Sequence, residues 1–96
     1  HIVYAEHFSH LIYIHTPAKK TLTTRMPFKD FTAPLREDPR FFVCGRGVIA
    51  NLEHASDFED GAFLMDEGSR VLVSRELTKA ARQAFMEFLL KKGGCA

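Results

Sequence analysis

The chain predicts a mainly β domain with a small helical content, on three observations. Its first half and its middle break into short runs rich in Val, Ile, Thr, Tyr and Phe, separated by Pro, Gly and Asp. Apolar residues at helical spacing occur twice, briefly after Pro27 and at length after Ser74. The 96 residues, 46% hydrophobic and 26% charged, suffice for one small domain spanning residues 1–96 and are too few for two.

Residues 2–7 and 10–15 mix apolar and polar side chains over strand lengths, with a turn near Phe8-Ser9. Thr16-Pro17-Ala18-Lys19 supplies the next turn, and the Thr-rich residues 20–25 pair back as a hairpin strand. Pro27 suits the first position of a short helix, in which Phe28, Phe31 and Leu35 share a face. Pro34 ends that helix near Thr32 or Ala33, because the residue before a proline is pushed out of the α region. After the loop Glu37-Asp38-Pro39-Arg40, residues 41–44 and 48–52 form two strands around Gly45-Arg46-Gly47. Residues 57–61 read as a polar bend and 62–65 as a strand. Asp66-Glu67-Gly68-Ser69 makes a hairpin turn, and residues 70–74 are the return strand. Ser74 would cap the closing helix, with Leu77, Ala81, Phe85, Phe88 and Leu89 as its apolar stripe. Lys91 and Lys92 suit its last turn, and Gly93-Gly94 stops it.

The formal net charge of +1 averages over blocks of opposite sign. Residues 1–46 carry seven basic and four acidic side chains, a net +3; residues 47–69 carry six acids and no Lys or Arg, a net −6; residues 70–96 carry six basic and two acidic, a net +4. A polyanion responds to the local face rather than to the sum. No apolar run approaches the roughly 18 residues of a membrane span, and no signal-peptide pattern is present. The absence of an initiator Met suggests a piece excised from a longer protein. Cys44 and Cys95 lack metal-ligand or disulfide-framework spacing, so reduced thiols and a cytoplasmic setting are expected, with no bound metal. No nucleotide-binding, hydrolase or metalloprotease motif occurs, so neither catalysis nor a cofactor is expected.

Three places carry chemistry. Gly45-Arg46-Gly47 is compatible with a plain surface turn, but its glycines let the backbone approach a bulky partner while arginine forks onto a guanine edge or a phosphate. Arg75 stands where the closing helix begins; the macrodipole there opposes a cation and favours an anion nearby, although an exposed arginine tolerates the penalty. His1, His7, His10 and His15 read as surface residues; a metal- or ligand-sensing role would rest on them alone, and only His10, beside a turn, is held back as a candidate.

The run from Phe41 to Leu52 resembles the hallmark of the LytTR DNA-binding domain, in which an aromatic residue precedes His-Arg-Ser, an apolar pair and Val-Asn. Tyr4-Ala5-Glu6 is similar to the family's opening strand, and Thr24-Arg25 with residues 28–35 to its short helix. Gly68 with Val73-Ser74-Arg75 is similar to its closing segment. The resemblance covers nearly the whole chain. It implies an elongated domain of small antiparallel sheets with one short and one C-terminal helix. It further implies the C-terminal output domain of a bacterial two-component response regulator, behind a receiver domain. Such a domain binds direct repeats in promoter DNA by inserting loops into successive major grooves, with a dimer forming on DNA. Under it, His10, Gly45, Arg46, Gly47, Ser74 and Arg75 lie on DNA-facing loops, and Lys19, Lys20 and Lys79 contact phosphates. The family's His and Ser are Gly45 and Gly47 here, and Val43 replaces a common basic residue, so three donors are missing. The rival expectation is a degenerate LytTR-like module that binds protein through an acidic face at residues 53–67.

Overall fold

Eight strands and two helices form within residues 2–92, which the computed structural model describes; His1, the Gly93-Gly94 helix stop and Cys95 lie outside the described residues. Strands β1 (Tyr4–Phe8), β2 (Leu11–His15), β3 (Thr21–Thr24), β4 (Phe41–Gly45) and β5 (Val48–Asn51) make an antiparallel sheet in the order β3-β2-β1-β5-β4. Strands β6 (Ala55–Glu59), β7 (Ala62–Met65) and β8 (Arg70–Leu72) make a three-stranded meander. Helix α1 (Phe28–Thr32) runs on into a 3-10 turn, Ala33–Leu35, and α2 (Thr78–Lys92) follows another, Arg75–Leu77. The mainly β architecture expected from the sequence is present, with overall extents of 41 × 30 × 25 Å. No helix among the described residues is long and apolar enough to cross a membrane.

Alternation along the strands builds two cores, one on each face of the five-stranded sheet. Ala5, Ile12 and Ile49 point to one face, where Phe28, Phe31 and Leu35 close over them; this is why the short helix needs its 3-10 extension past Pro34. The other face contributes Val3, Cys44 and Ala50 to a larger core with Phe58, Phe63, Met65 and Val71 of the meander, and Ala81 and Phe85 of α2. Phe63 sits at its centre, packed against Phe42, Phe58 and Phe85. Cys44 joins this core through a bulge: the register shifts between Val43 and Gly45, turning its side chain inward.

Burial pushes the Cys44 thiol up to about 12. Its contribution to stability is complete below pH ~9 and declines as the pH rises toward 12, because the unfolded chain releases a proton that the folded chain keeps. The expected decline is up to about 1.4 kcal/mol per pH unit. Urea midpoints between pH 8 and 10.5 should therefore fall less steeply for Cys44→Ala than for the parent; equal slopes would contradict a buried thiol.

Several sequence expectations need correction. The polar bend expected at residues 57–61 is largely strand β6. It is an edge strand that buries Phe58 and turns Ser56, Asp57 and Glu59 to solvent, which protects an exposed sheet edge. The strand expected to reach Leu52 stops at Asn51, whose side chain accepts a bond from the Glu53 N–H and starts a 3-10 turn. The return strand expected to reach Ser74 stops at Leu72. Pro27 occupies the extended position before α1 rather than its first helical position. Ser74 makes no capping bond, and Leu89 is 43% exposed rather than part of the buried stripe.

Candidate nucleic-acid interface

Pairing register decides which turns share an end of the molecule. Glu6 pairs with Val48 in antiparallel strands, so the β1–β2 turn and the β4–β5 turn emerge side by side. The first is a two-residue turn in which Ser9 and His10 both hold left-handed backbones, φ 54 and 70. That geometry matches the twist of the flanking strands and costs non-glycine residues roughly 1–2 kcal/mol each. The second turn contains Arg46 and Gly47, the latter with φ 72. The His7 backbone N–H donates to the Gly47 carbonyl at 2.6 Å, and a Cβ at Gly47 would lie 3.3 Å from His7.

The third loop arrives from the meander. The Ser74 N–H donates to the Cys44 carbonyl at 2.8 Å, and Gly45 is so close that an added methyl would overlap the Ser74 hydroxyl. Three segments from two sheets therefore form one row: Ser9-His10, Gly45-Arg46-Gly47 and Ser74-Arg75. Arg46, His10 and Arg75 are exposed, whereas Gly45, Gly47 and Ser74 are half-buried between them. Arg75 lies in the 3-10 turn, three residues ahead of α2, so the helix-dipole penalty expected for it is weak. Lys79 is exposed at the second position of α2, about one turn beyond Arg75.

Lys19 and Lys20 are not in this row. They belong to the β2–β3 turn, where His15 pairs with Thr21, at the opposite end of the five-residue β2 and about 17 Å from His10. Arg25 is there instead. Ile12 pairs with Thr24, so the residue after β3 returns to the β1–β2 turn, and Arg25 shares a cleft with His7, His10, Met26 and Pro27. Sequence reading assigned Arg25 no DNA contact. The signal was the hairpin register, which brings residue 25 back opposite residue 11.

Partnering separates the arginines. Arg36 donates to Thr32, Arg40 pairs with Asp38 and Glu53, Arg70 donates to the Asp60 carbonyl, and Arg82 lies over the Phe58 ring. The Arg40 guanidinium holds the Asp38 carboxyl below the usual carboxylate range. Among the described residues, Arg25, Arg46 and Arg75 make no ion pair, side-chain hydrogen bond or ring contact; all three are exposed, Arg46 and Arg75 on the row and Arg25 beside it.

The remaining candidates disperse. His15 stacks on Tyr4 and meets Glu6 at 2.9 Å, and His54 meets Asp66 at 3.0 Å. Burial raises the Tyr4 phenol, partly offset by a hydrogen bond with Ser69. No group of three His, Cys, Asp or Glu side chains converges among the described residues. Residues 53–67 do not make one acidic face. Glu53, Asp66 and Glu67 lie at the end away from the row, whereas Glu59 and Asp60 flank the β6–β7 turn near the start of α2.

The family model described as the LytTr DNA-binding domain matches residues 1–86. A solved structure, described as the LytTr DNA-binding domain of a methyl-accepting/DNA response regulator from Bacillus cereus, superposes with a TM-score of 0.71. The two share 26% sequence identity over 86% of this chain and 79% of that one. Comparison with curated proteins returns no match. With the family model spanning both sheets and most of α2, the chain belongs to the LytTr DNA-binding domain family.

Proposed function

We propose that this chain is the DNA-binding output domain of a bacterial response regulator and reads promoter DNA through the row of three loops. The observation that carries this reading is the collection of unpartnered arginines on that row (Arg46, Arg75) and beside it (Arg25), in a chain whose other arginines are engaged within the protein. A guanidinium left free at a protruding turn can fork onto guanine O6 and N7 in a major groove. Arg46 and Arg75 are the base readers, one from each sheet, and His10 assists. Gly45 and Gly47 let the backbone come close to the groove, while the Ser74 hydroxyl and Lys79 supply phosphate contacts. Lys19 and Lys20, at the opposite end, could reach only phosphates remote from the segment read by the loops. The domain acts without catalysis or cofactor, in the cytoplasm and downstream of a receiver domain, with a second copy on an adjacent repeat strengthening binding.

Selection from a random duplex pool, followed by fluorescence anisotropy, tests this. A sequence should be enriched, and log K should fall with log salt at a slope of about −5 if five or six phosphates are neutralised. Arg46→Ala and Arg75→Ala should each cost about 1–3 kcal/mol on the selected duplex and much less on random DNA. Equal losses on both would make them phosphate contacts, and no binding at low salt would overturn the reading.

A further inference from the structure

We propose that Arg25, His7 and His10 form a phosphate clamp, a positioning site that grips the DNA backbone beside the groove entered by Arg46. This rests on the DNA-binding reading and assigns a role to Arg25 and to a cleft that borders the loop row at His10, which assists Arg46 by holding a phosphate rather than by touching a base. The cleft has a volume of about 390 Å³ and is lined by His7, His10, Arg25, Met26 and Pro27. Three of these side chains carry N–H donors, and none of the lining residues is a carboxylate. The contrast lies at the far end of the molecule, where a cleft of similar volume mixes Arg40, Lys91 and Lys92 with Glu53 and Glu87 and so neutralises its own cations. In the clamp, the side-chain N–H donors are those of Arg25, His7 and His10, since Met26 and Pro27 have none in their side chains.

Placement distinguishes a backbone contact from a base contact. Arg25 follows β3, the outermost strand, while Arg46 projects between β5 and β4; β3 and β5 are three strand spacings apart, or about 14 Å. The major groove is about 12 Å wide. Arg25 therefore falls outside the groove that receives Arg46 and meets the sugar-phosphate strand bordering it. The spacing is also stiff. His7 is bonded to Gly47 at 2.6 Å, and His10 is directed by its left-handed backbone, so the clamp and the Arg46 turn move as one piece. A phosphate held in the clamp sets the register at which Arg46 meets a base.

The test crosses a protein variant with a neutralised backbone. Arg25→Gln removes the charge at an exposed position, and an unchanged urea midpoint establishes that it folds. Its affinity should fall by the same factor on the selected and on random duplexes, and its salt slope should be shallower by about 0.9, so that raising salt from 50 to 200 mM costs it about three-fold less than it costs the parent. Methylphosphonate scanning of the selected duplex, which replaces one phosphate at a time by an uncharged group, should find a position that weakens the parent and leaves Arg25→Gln unaffected. His7→Gln should give a weaker loss at that same position. Two results would overturn the clamp: a loss by Arg25→Gln confined to the selected sequence, or no methylphosphonate position that becomes silent in the variant. Failure of the parent itself to bind any duplex would instead strike the DNA-binding reading, and the two failures are thereby distinguished.

Discussion

Phe63→Ala is expected to remove about 3–5 kcal/mol of stability, a large share of the 5–15 kcal/mol available to a domain of this size. Phe63 is fully buried, and its ring touches the neighbouring strand β6 and two elements remote in sequence, β4 and α2. Phe42 of β4 meets it edge-on at 6.1 Å, Phe85 of α2 edge-on at 5.9 Å, and Phe58 of β6 tilted at 4.9 Å. Truncation removes burial and these ring contacts together, and it leaves a cavity where the two sheets and α2 converge. The chain has no Trp, so urea unfolding followed by far-UV circular dichroism is the suitable measurement. Phe63→Leu, which keeps most of the volume, should cost considerably less. A loss below about 1 kcal/mol for alanine would mean that the core closes without this ring.

Gly45→Ala should cost about 2–3 kcal/mol for two separable reasons. Its backbone, φ 150, is one that side chains rarely adopt, and the new methyl would overlap the Ser74 hydroxyl and lie 3.2 Å from Ser74 Cβ. Rotation of Ser74 relieves the first contact only. The second relaxes if the Ser74-Arg75 segment moves away from the Arg46 turn, against the 2.8 Å bond between Ser74 and Cys44. The double variant Gly45→Ala/Ser74→Gly removes the steric part and leaves the dihedral part. It should therefore be more stable than the sum of the single losses by about 1–2 kcal/mol. A strictly additive cycle would show that the two loops do not press on each other. The same closeness gives a physical account of the residue: a histidine, usual at this point in the family the chain resembles, would have to displace Ser74.

Much of this architecture was legible because residues 2–7 and 10–15 mix apolar and polar side chains, residues 41–44 and 48–52 are short apolar runs around Gly45-Arg46-Gly47, and Pro27 and Pro34 bracket α1. The meander was less so. In β6 only Phe58 and the half-buried Ala55 turn inward, and the acids between and beside them are those of any solvated loop, so an edge strand leaves almost no periodic trace. The three candidate loops were visible as local chemistry: arginine between glycines, arginine before a helix, and a histidine beside a turn. Their convergence was not visible, because it depends on the contact of Gly45 with Ser74 across 29 residues and two sheets. Lys19 and Lys20 stand out in the sequence by charge, which says nothing about the end of a strand on which a residue falls. Arg25 was available from counting the hairpin register. Leu89 illustrates the limit of a helical stripe: the period places it beside Phe85, but the core beneath α2 is too narrow to cover it.

The bond from Ser74 to the bulged Cys44 has a consequence for how a domain of this kind changes its preferred sequence. Arg46 grows from one sheet and Arg75 from the other, so on the proposed reading the distance between the two bases they would contact is a property of the packing between sheets, not of either loop. Exchanging one of those exposed side chains would then alter a letter of the recognised sequence and leave the fold untouched. Altering the interval between letters demands repacking around Cys44 and Phe63. In a lineage of such domains, letters should therefore drift readily while spacing stays constant, and an altered spacing should be accompanied by altered core residues.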